Sequence, residues 1–156
     1  MKRSLLTIRL FAIALMLLMG IVFTGPAAQA APQASAARSV WVVVRNNSKY
    51  PLSIGNSYIT SGIWTVQPNA VIQSGQESGF GSESNGFMTG THGSLTYNVS
   101  NGQHFSFTWT NPYYGSNTYS SVLSTFSYAN SKVVMTRTGG SGNNAVVVIT
   151  ISNACC

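Results

Sequence analysis

Ser94-Leu95-Thr96-Tyr97-Asn98-Val99-Ser100-Asn101-Gly102-Gln103-His104-Phe105-Ser106-Phe107-Thr108-Trp109-Thr110 is the stretch that decides the fold class. Side chains of a strand alternate between its two faces, so Leu95, Tyr97 and Val99 share one face of the first half and Phe105, Phe107 and Trp109 share one face of the second. Between the halves stands Asn101-Gly102, the dipeptide that most favours the left-handed backbone of a hairpin turn. Two half-buried antiparallel strands follow.

The same alternation recurs outward in both directions. Ser39 to Arg45 (SVWVVVR) is β-branched and almost continuously apolar, as in a strand within a core. Tyr58 to Val66, Tyr119 to Tyr128, Lys132 to Thr138 (KVVMTRT) and Ala145 to Ser152 (AVVVITIS) complete the set, with Gly139-Gly140-Ser141-Gly142-Asn143-Asn144 as a second hairpin signal. No capped stretch of ten or more residues shows a 3.6 period. Seven or so short strands separated by Gly, Asn and Ser turns predict an all-β fold, an antiparallel β-sandwich in a single domain spanning 39–153.

The residues before that domain read as an export signal. Lys2, Arg3 and Arg9 precede an apolar run of fourteen, Leu10 to Phe23, and Ala28-Gln29-Ala30 matches a signal-peptidase site. A membrane-spanning helix takes about 20 apolar residues, so residues 1–30 are expected to be a cleaved signal peptide and the mature chain to be secreted. Residues 31–38 form a short small-residue leader, and 154–156 a tail carrying the only cysteines, Cys155 and Cys156. Adjacent cysteines close no long loop, so the pair is either an exposed tail or an intermolecular crosslink, and the core stands without staples.

Removing the signal changes the charge. The whole chain carries +6; the mature part keeps Arg38, Arg45, Lys49, Lys132 and Arg137 against Glu77 and Glu83, a net +3. Five scattered cations make no stripe of the kind that neutralises a run of phosphates, which excludes nucleic acid as the partner.

Catalytic sets are equally sparse. The chain has no Asp; Glu77 and Glu83 lie in a Gly/Ser-rich segment expected to be a solvated loop, and His92 and His104 show no metal-ligand spacing. No catalytic residue, cofactor or metal is expected, and the protein is read as a non-enzyme. Asn46-Asn47-Ser48 and Asn98-Val99-Ser100 have the spacing of glycosylation sequons.

The distinctive feature is aromatic. Trp109-Thr110-Asn111-Pro112-Tyr113-Tyr114-Gly115-Ser116-Asn117-Thr118-Tyr119 places four aromatics in eleven residues around a Pro and Gly turn. Rings with an apolar body and a polar tip suit the boundary between water and something greasy, and they also cage quaternary ammonium groups. Two readings stay open: a loop packed on its own sandwich, with Trp109 in the core, or a patch facing a ligand or membrane.

The run from Gly90 to Gly102 (GTHGSLTYNVSNG), followed ten positions later by Pro112-Tyr113 and then by Tyr119-Ser120, resembles the actinoporins, cytolysins that bind sphingomyelin. The same region resembles the aegerolysins, small lipid-binding proteins, through Gly90-Thr91-His92-Gly93-Ser94 and through Trp109-x-x-Pro112 with Gly115-Ser116. The likeness covers about residues 38–153. It implies a β-sandwich that binds a sphingolipid or phospholipid headgroup. Pro112, Tyr113 and Tyr119 match the phosphocholine-contacting loop of actinoporins, with Thr110 where that loop has Ser. Tyr114 joins Tyr113 in the patch, and Trp109 lies beneath.

Two departures bear on lysis. Actinoporins insert a long helix that precedes the first strand; here only Ala31 to Arg38 is available, about 12 Å if helical against a hydrocarbon core of about 30 Å. The Tyr-bearing helix of their headgroup pocket is also missing. The resemblance therefore implies a lipid-recognition component, lytic alone or with a larger pore-forming partner protein, possible as a homo-oligomer. The alternative of another class is a secreted carbohydrate-binding module or lectin, since loop aromatics also stack on sugars.

Overall fold

The computed structural model describes residues 37–124 and 132–154. The expected signal peptide, most of the leader, the end of the strand expected over 119–128 and the Cys155-Cys156 pair lie outside the described residues. Ten strands follow one another: β1 Ser39–Asn47, β2 Leu52–Ser61, β3 Ile63–Val66, β4 Val71–Ile72, β5 Glu77–Glu83, β6 Thr91–Val99, β7 His104–Asn111, β8 Thr118–Leu123, β9 Val133–Gly139 and β10 Asn144–Asn153. They form two five-stranded sheets, in the orders β3-β5-β1-β10-β9 and β4-β2-β6-β7-β8. The fold is an all-β sandwich, as the alternation predicts. Among the described residues no helix is long and apolar enough to cross a membrane.

The hairpin of the opening stretch is β6–β7, paired from Thr91↔Asn111 to Asn98↔His104. Its connection is four residues long. Gly102 takes the left-handed backbone at φ 91° and donates its N–H to the Val99 carbonyl at 3.0 Å, while the Asn101 side-chain oxygen accepts the Gln103 N–H at 2.9 Å. Leu95, Tyr97, Val99, Phe105, Phe107 and Trp109 all point inward and are buried. They meet Val40, Val42 and Val44 of β1 and Val147, Ile149 and Ile151 of β10 from the facing sheet. Each such side chain contributes about 1.5–3 kcal/mol when fully buried.

Three features depart from the expected strands. First, β1 and β10 run parallel, paired from Ser39↔Asn144 to Asn47↔Ser152. All other neighbours are antiparallel. Alternation reports which face a residue takes and nothing about the direction of its partner. Second, the strand expected over Tyr58–Val66 is two. Gly62 at φ 91° ends β2, and β3 continues in the other sheet.

Third, the Gly/Ser-rich segment expected to be a loop is β5, in register with β1 from Ser39↔Glu83 to Arg45↔Glu77. Gly79 and Gly81 are required there because the Trp41 ring lies across them on the outer surface, where a Cβ at either position would run into it. Glu77 pairs with Arg45 at 3.0 Å, with both side chains more than half exposed, so the pair is worth at most about 1 kcal/mol. Of the two sequons, Asn46 is fully buried, its amide donating to the Tyr50 and Ile72 carbonyls at 2.8 and 3.0 Å, whereas Asn98 is exposed.

Two predictions follow from this packing. Gly79→Ala sets a methyl within 3.0 Å of Trp41 Cε2, and is expected to cost about 1–3 kcal/mol by overpacking. In urea denaturation the Gly79→Ala/Trp41→Ala double variant should lose less than the sum of the singles, and strict additivity would overturn the contact. Tyr97, buried with its hydroxyl on the Asn69 carbonyl at 2.6 Å, has its pKa pushed up by burial from 10.0 to about 12. Below pH 10 both states hold the proton; above it the unfolded chain ionises first, so stability falls as pH rises through 10 toward about 12. Melting curves across that window should fall less steeply for Tyr97→Phe than for the wild type.

Candidate functional site

One end of the sandwich collects four connections: the β2–β3 turn at Gly62, the β5–β6 loop, the β7–β8 loop and the β9–β10 turn. The start of β1 lies among them. Hydrogen bonds join the two sheets there. Trp109 Nε1 donates to Ser82 Oγ at 2.9 Å and Thr91 Oγ1 donates to the same oxygen at 2.8 Å, all three groups buried. The Asn111 amide, fully buried, donates to the Ser39 and Asn143 carbonyls at 2.9 and 2.8 Å.

Arg38 completes the junction from the last position of the expected leader. Its guanidinium donates to Asn143 Oδ1 on the β9–β10 turn and to the Tyr113 carbonyl on the β7–β8 loop, and its Cζ lies 5.7 Å from the Tyr113 ring centroid. Its carbonyl accepts the Ser84 N–H at 2.8 Å, which ties in the β5–β6 loop.

The six residues singled out in the sequence separate into three environments. Trp109 is fully buried, its ring 5.6–5.8 Å from those of Trp64, Phe80 and Phe107, so it supports the loop and has no surface of its own. Tyr119, expected both to open a strand and to join the aromatic patch, sits on β8 opposite Trp109 and stacks on Phe107 at 6.0 Å. Its hydroxyl donates to the Gly140 carbonyl at 3.0 Å. Burial raises its pKa, against the Asn117 side chain and the nearby Arg137, both of which lower it. The remaining four stay together: Thr110, Pro112 and Tyr113 are half-buried and Tyr114 is 71% exposed. The Tyr113 and Tyr114 rings meet edge to face at 4.7 Å.

Two hollows flank this loop. The larger, about 480 Å³, lies between Gly115–Asn117 and the β9–β10 turn, with Arg38 on its rim and Tyr119 in its wall. Asn117 donates to the Gly140 and Gly142 carbonyls at 3.0 and 2.8 Å, and Tyr119 donates to Gly140 as well. These donors and carbonyls thus satisfy one another within the wall, which leaves the Arg38 guanidinium as the charge beside the hollow, and Arg137 stands 5.3 Å over the Tyr119 ring. A negatively charged or strongly polar group suits that hollow. The smaller, about 230 Å³, is bounded by Ser61, His92, Thr110, Pro112 and Tyr113.

Among the described residues no three His, Cys, Asp or Glu side chains could hold a metal ion. His92 pairs with Thr110 near one end of the β6–β7 hairpin and His104 with Asn98 at the other. The reading of the sequence passed over Arg38, assigned to the leader, and the exposed Phe87-Met88 pair in the β5–β6 loop. A lone apolar pair inside a polar run is the signal that marks the second.

No family model matches the sequence, and no curated protein matches it. Among solved structures, the lipid binding protein Nakanori shares the fold with TM-score 0.66 and 18% identity over 75% of this chain and 72% of its own. RahU, solved with a TRIS molecule, matches with TM-score 0.60 and 18% identity over 78% of this chain and 98% of its own.

Ser82→Ala leaves Trp109 Nε1 and Thr91 Oγ1 without their shared acceptor, and is expected to cost about 1–3 kcal/mol in denaturant titration. An unchanged midpoint would show that the inter-sheet junction contributes nothing.

Proposed function

We propose that this is a secreted protein of aegerolysin and actinoporin-like type that binds membrane lipid through the loop-bearing end of its sandwich. The observation that carries the reading is the Tyr113–Tyr114 pair, with Tyr114 71% exposed, beside a hollow that Arg38 lines and braced by the bond from Arg38 to the Tyr113 carbonyl. An amphipathic ring suits the headgroup layer, where its body meets apolar matter and its hydroxyl meets water. A phosphate-bearing headgroup, of a sphingolipid or a phospholipid, suits the hollow rimmed by Arg38. The fold shared with a lipid binding protein supports this reading, as does the resemblance of Gly90–Tyr119 to both families. Membrane damage, alone or with a larger pore-forming partner, is the activity the reading implies.

A second reading, a secreted lectin, draws on the same hollow, whose lining includes Ser116, Asn117, Ser141 and Asn143 beside the Tyr119 ring. Glycan binding without lipid binding would favour it.

Co-sedimentation with vesicles of phosphatidylcholine alone, with sphingomyelin, or with phosphatidylserine tests the first reading. Tyr114→Ala, at a position 71% exposed, leaves the core untouched, and together with Tyr113→Ala is expected to weaken binding by about tenfold or more. Unaltered binding of the double variant, or no binding of the wild type to any of these membranes, would sink it. Dye leakage from the same vesicles then separates lysis from binding.

A further inference from the structure

The β5–β6 loop leaves the sandwich beside the β7–β8 loop and ends in a tight turn over Gly86-Phe87-Met88-Thr89. Phe87 is 90% exposed, the most exposed of the large apolar side chains among the described residues, and Met88 is 41% exposed. Met88 has φ 56°, the left-handed region, and is the single non-glycine residue there among the described residues. Gly or Asn takes that backbone freely; a long apolar side chain in it is held by its surroundings at some cost. The turn is closed by Thr89 Oγ1, which donates to the Gly86 carbonyl at 3.0 Å.

Its base is fixed on both sides. Ser84 N–H donates to the Arg38 carbonyl at 2.8 Å. At the other side Gly90 packs so close to Asn111 O and the Pro112 backbone that no Cβ fits, and its carbonyl accepts Ser61 Oγ at 3.3 Å. Arg38 therefore anchors this turn through its backbone and the Tyr113–Tyr114 loop through its side chain. Residues 84–90 carry no charge; Glu83 lies at the end of β5, paired with Ser39 and Ile63. An uncharged, exposed apolar tip on a braced base, at the same end of the sandwich as Tyr114, suits the boundary between the headgroups and the hydrocarbon of a bilayer.

We propose that Phe87 and Met88 form a preformed wedge that enters the acyl-chain boundary of a lipid bilayer, while Tyr114 stays at headgroup level. The wedge rests on the reading that this end of the molecule binds membranes, and adds a second, apolar contact to it. Insertion is shallow, about 5–10 Å, as for other interfacial elements.

The test uses the full chain and the three vesicle compositions above, prepared with and without bromine on the acyl chains. Phe87→Trp is expected to gain a blue-shifted emission that the brominated chains quench, beyond the quenching of wild-type Trp41, Trp64 and Trp109. Phe87→Ser and Met88→Gly are each expected to bind about tenfold more weakly. Met88→Gly suits the left-handed backbone and should melt no lower than the wild type, so its weaker binding reports a lost contact and not a lost fold. Wild-type binding that persists unchanged in both variants, with Phe87→Trp unquenched, overturns the wedge and leaves the headgroup reading intact. Absence of wild-type binding to every vesicle overturns both.

Discussion

The hydrogen bond from Trp109 Nε1 to Ser82 Oγ, with the Asn111 amide reaching Ser39 and Asn143 beside it, is the constraint on which the loop-bearing end of the molecule depends. Hydrophobic contact alone holds two sheets about 10 Å apart without fixing where one lies against the other. A buried donor admits far less freedom, because sliding by a residue would strand Trp109 Nε1 and both Asn111 N–H groups away from water. These bonds stand at the ends of strands, where the loops leave. The polar minority inside an otherwise apolar core thus sets the relative placement of the loops, and the apolar majority supplies the stability.

Arg38 extends that logic to the surface. With few charges in the chain, one guanidinium bridges two loops, since its fork of donors reaches Asn143 and Tyr113 while its Cζ lies 5.7 Å over the Tyr113 ring centroid. The net charge of the chain says little about this. What matters is that this cation stands where two loops converge.

Much of the fold was legible because a strand repeats every two residues. Leu95, Tyr97, Phe105, Phe107 and Trp109 declared their face and their hairpin without reference to anything distant. β5 was illegible for the converse reason: its central outward positions are Gly79 and Gly81, fitted to the Trp41 ring that covers them, and absent side chains carry no period. The candidate site was legible in part. The clustering of Pro112, Tyr113 and Tyr114 showed a loop; the alternation put Tyr119 at the start of a strand, where it is, but nearness in sequence also drew it into the patch, whereas its pairing with Trp109 makes it a wall. Arg38 reaches Tyr113 and Asn143 through contacts that span tens of residues, which no local pattern encodes, whereas Phe87-Met88 had a local mark, an apolar pair in a polar run, but nothing to say where it stood.

The parallel pairing of β1 with β10 bears on the order in which the chain can fold. The middle of the first sheet joins residues more than a hundred positions apart, Ser39 to Asn144 among them. Until β10 emerges from the ribosome, β1 has β5 on one side and an open edge on the other, and β9 has no neighbour in its sheet. Closing so long a loop is a late and slow event, placing the molecule among folds that mature in milliseconds to seconds. The first sheet therefore stays open until the last strand arrives, and β10 acts as the keystone that joins β9 to the three strands already paired.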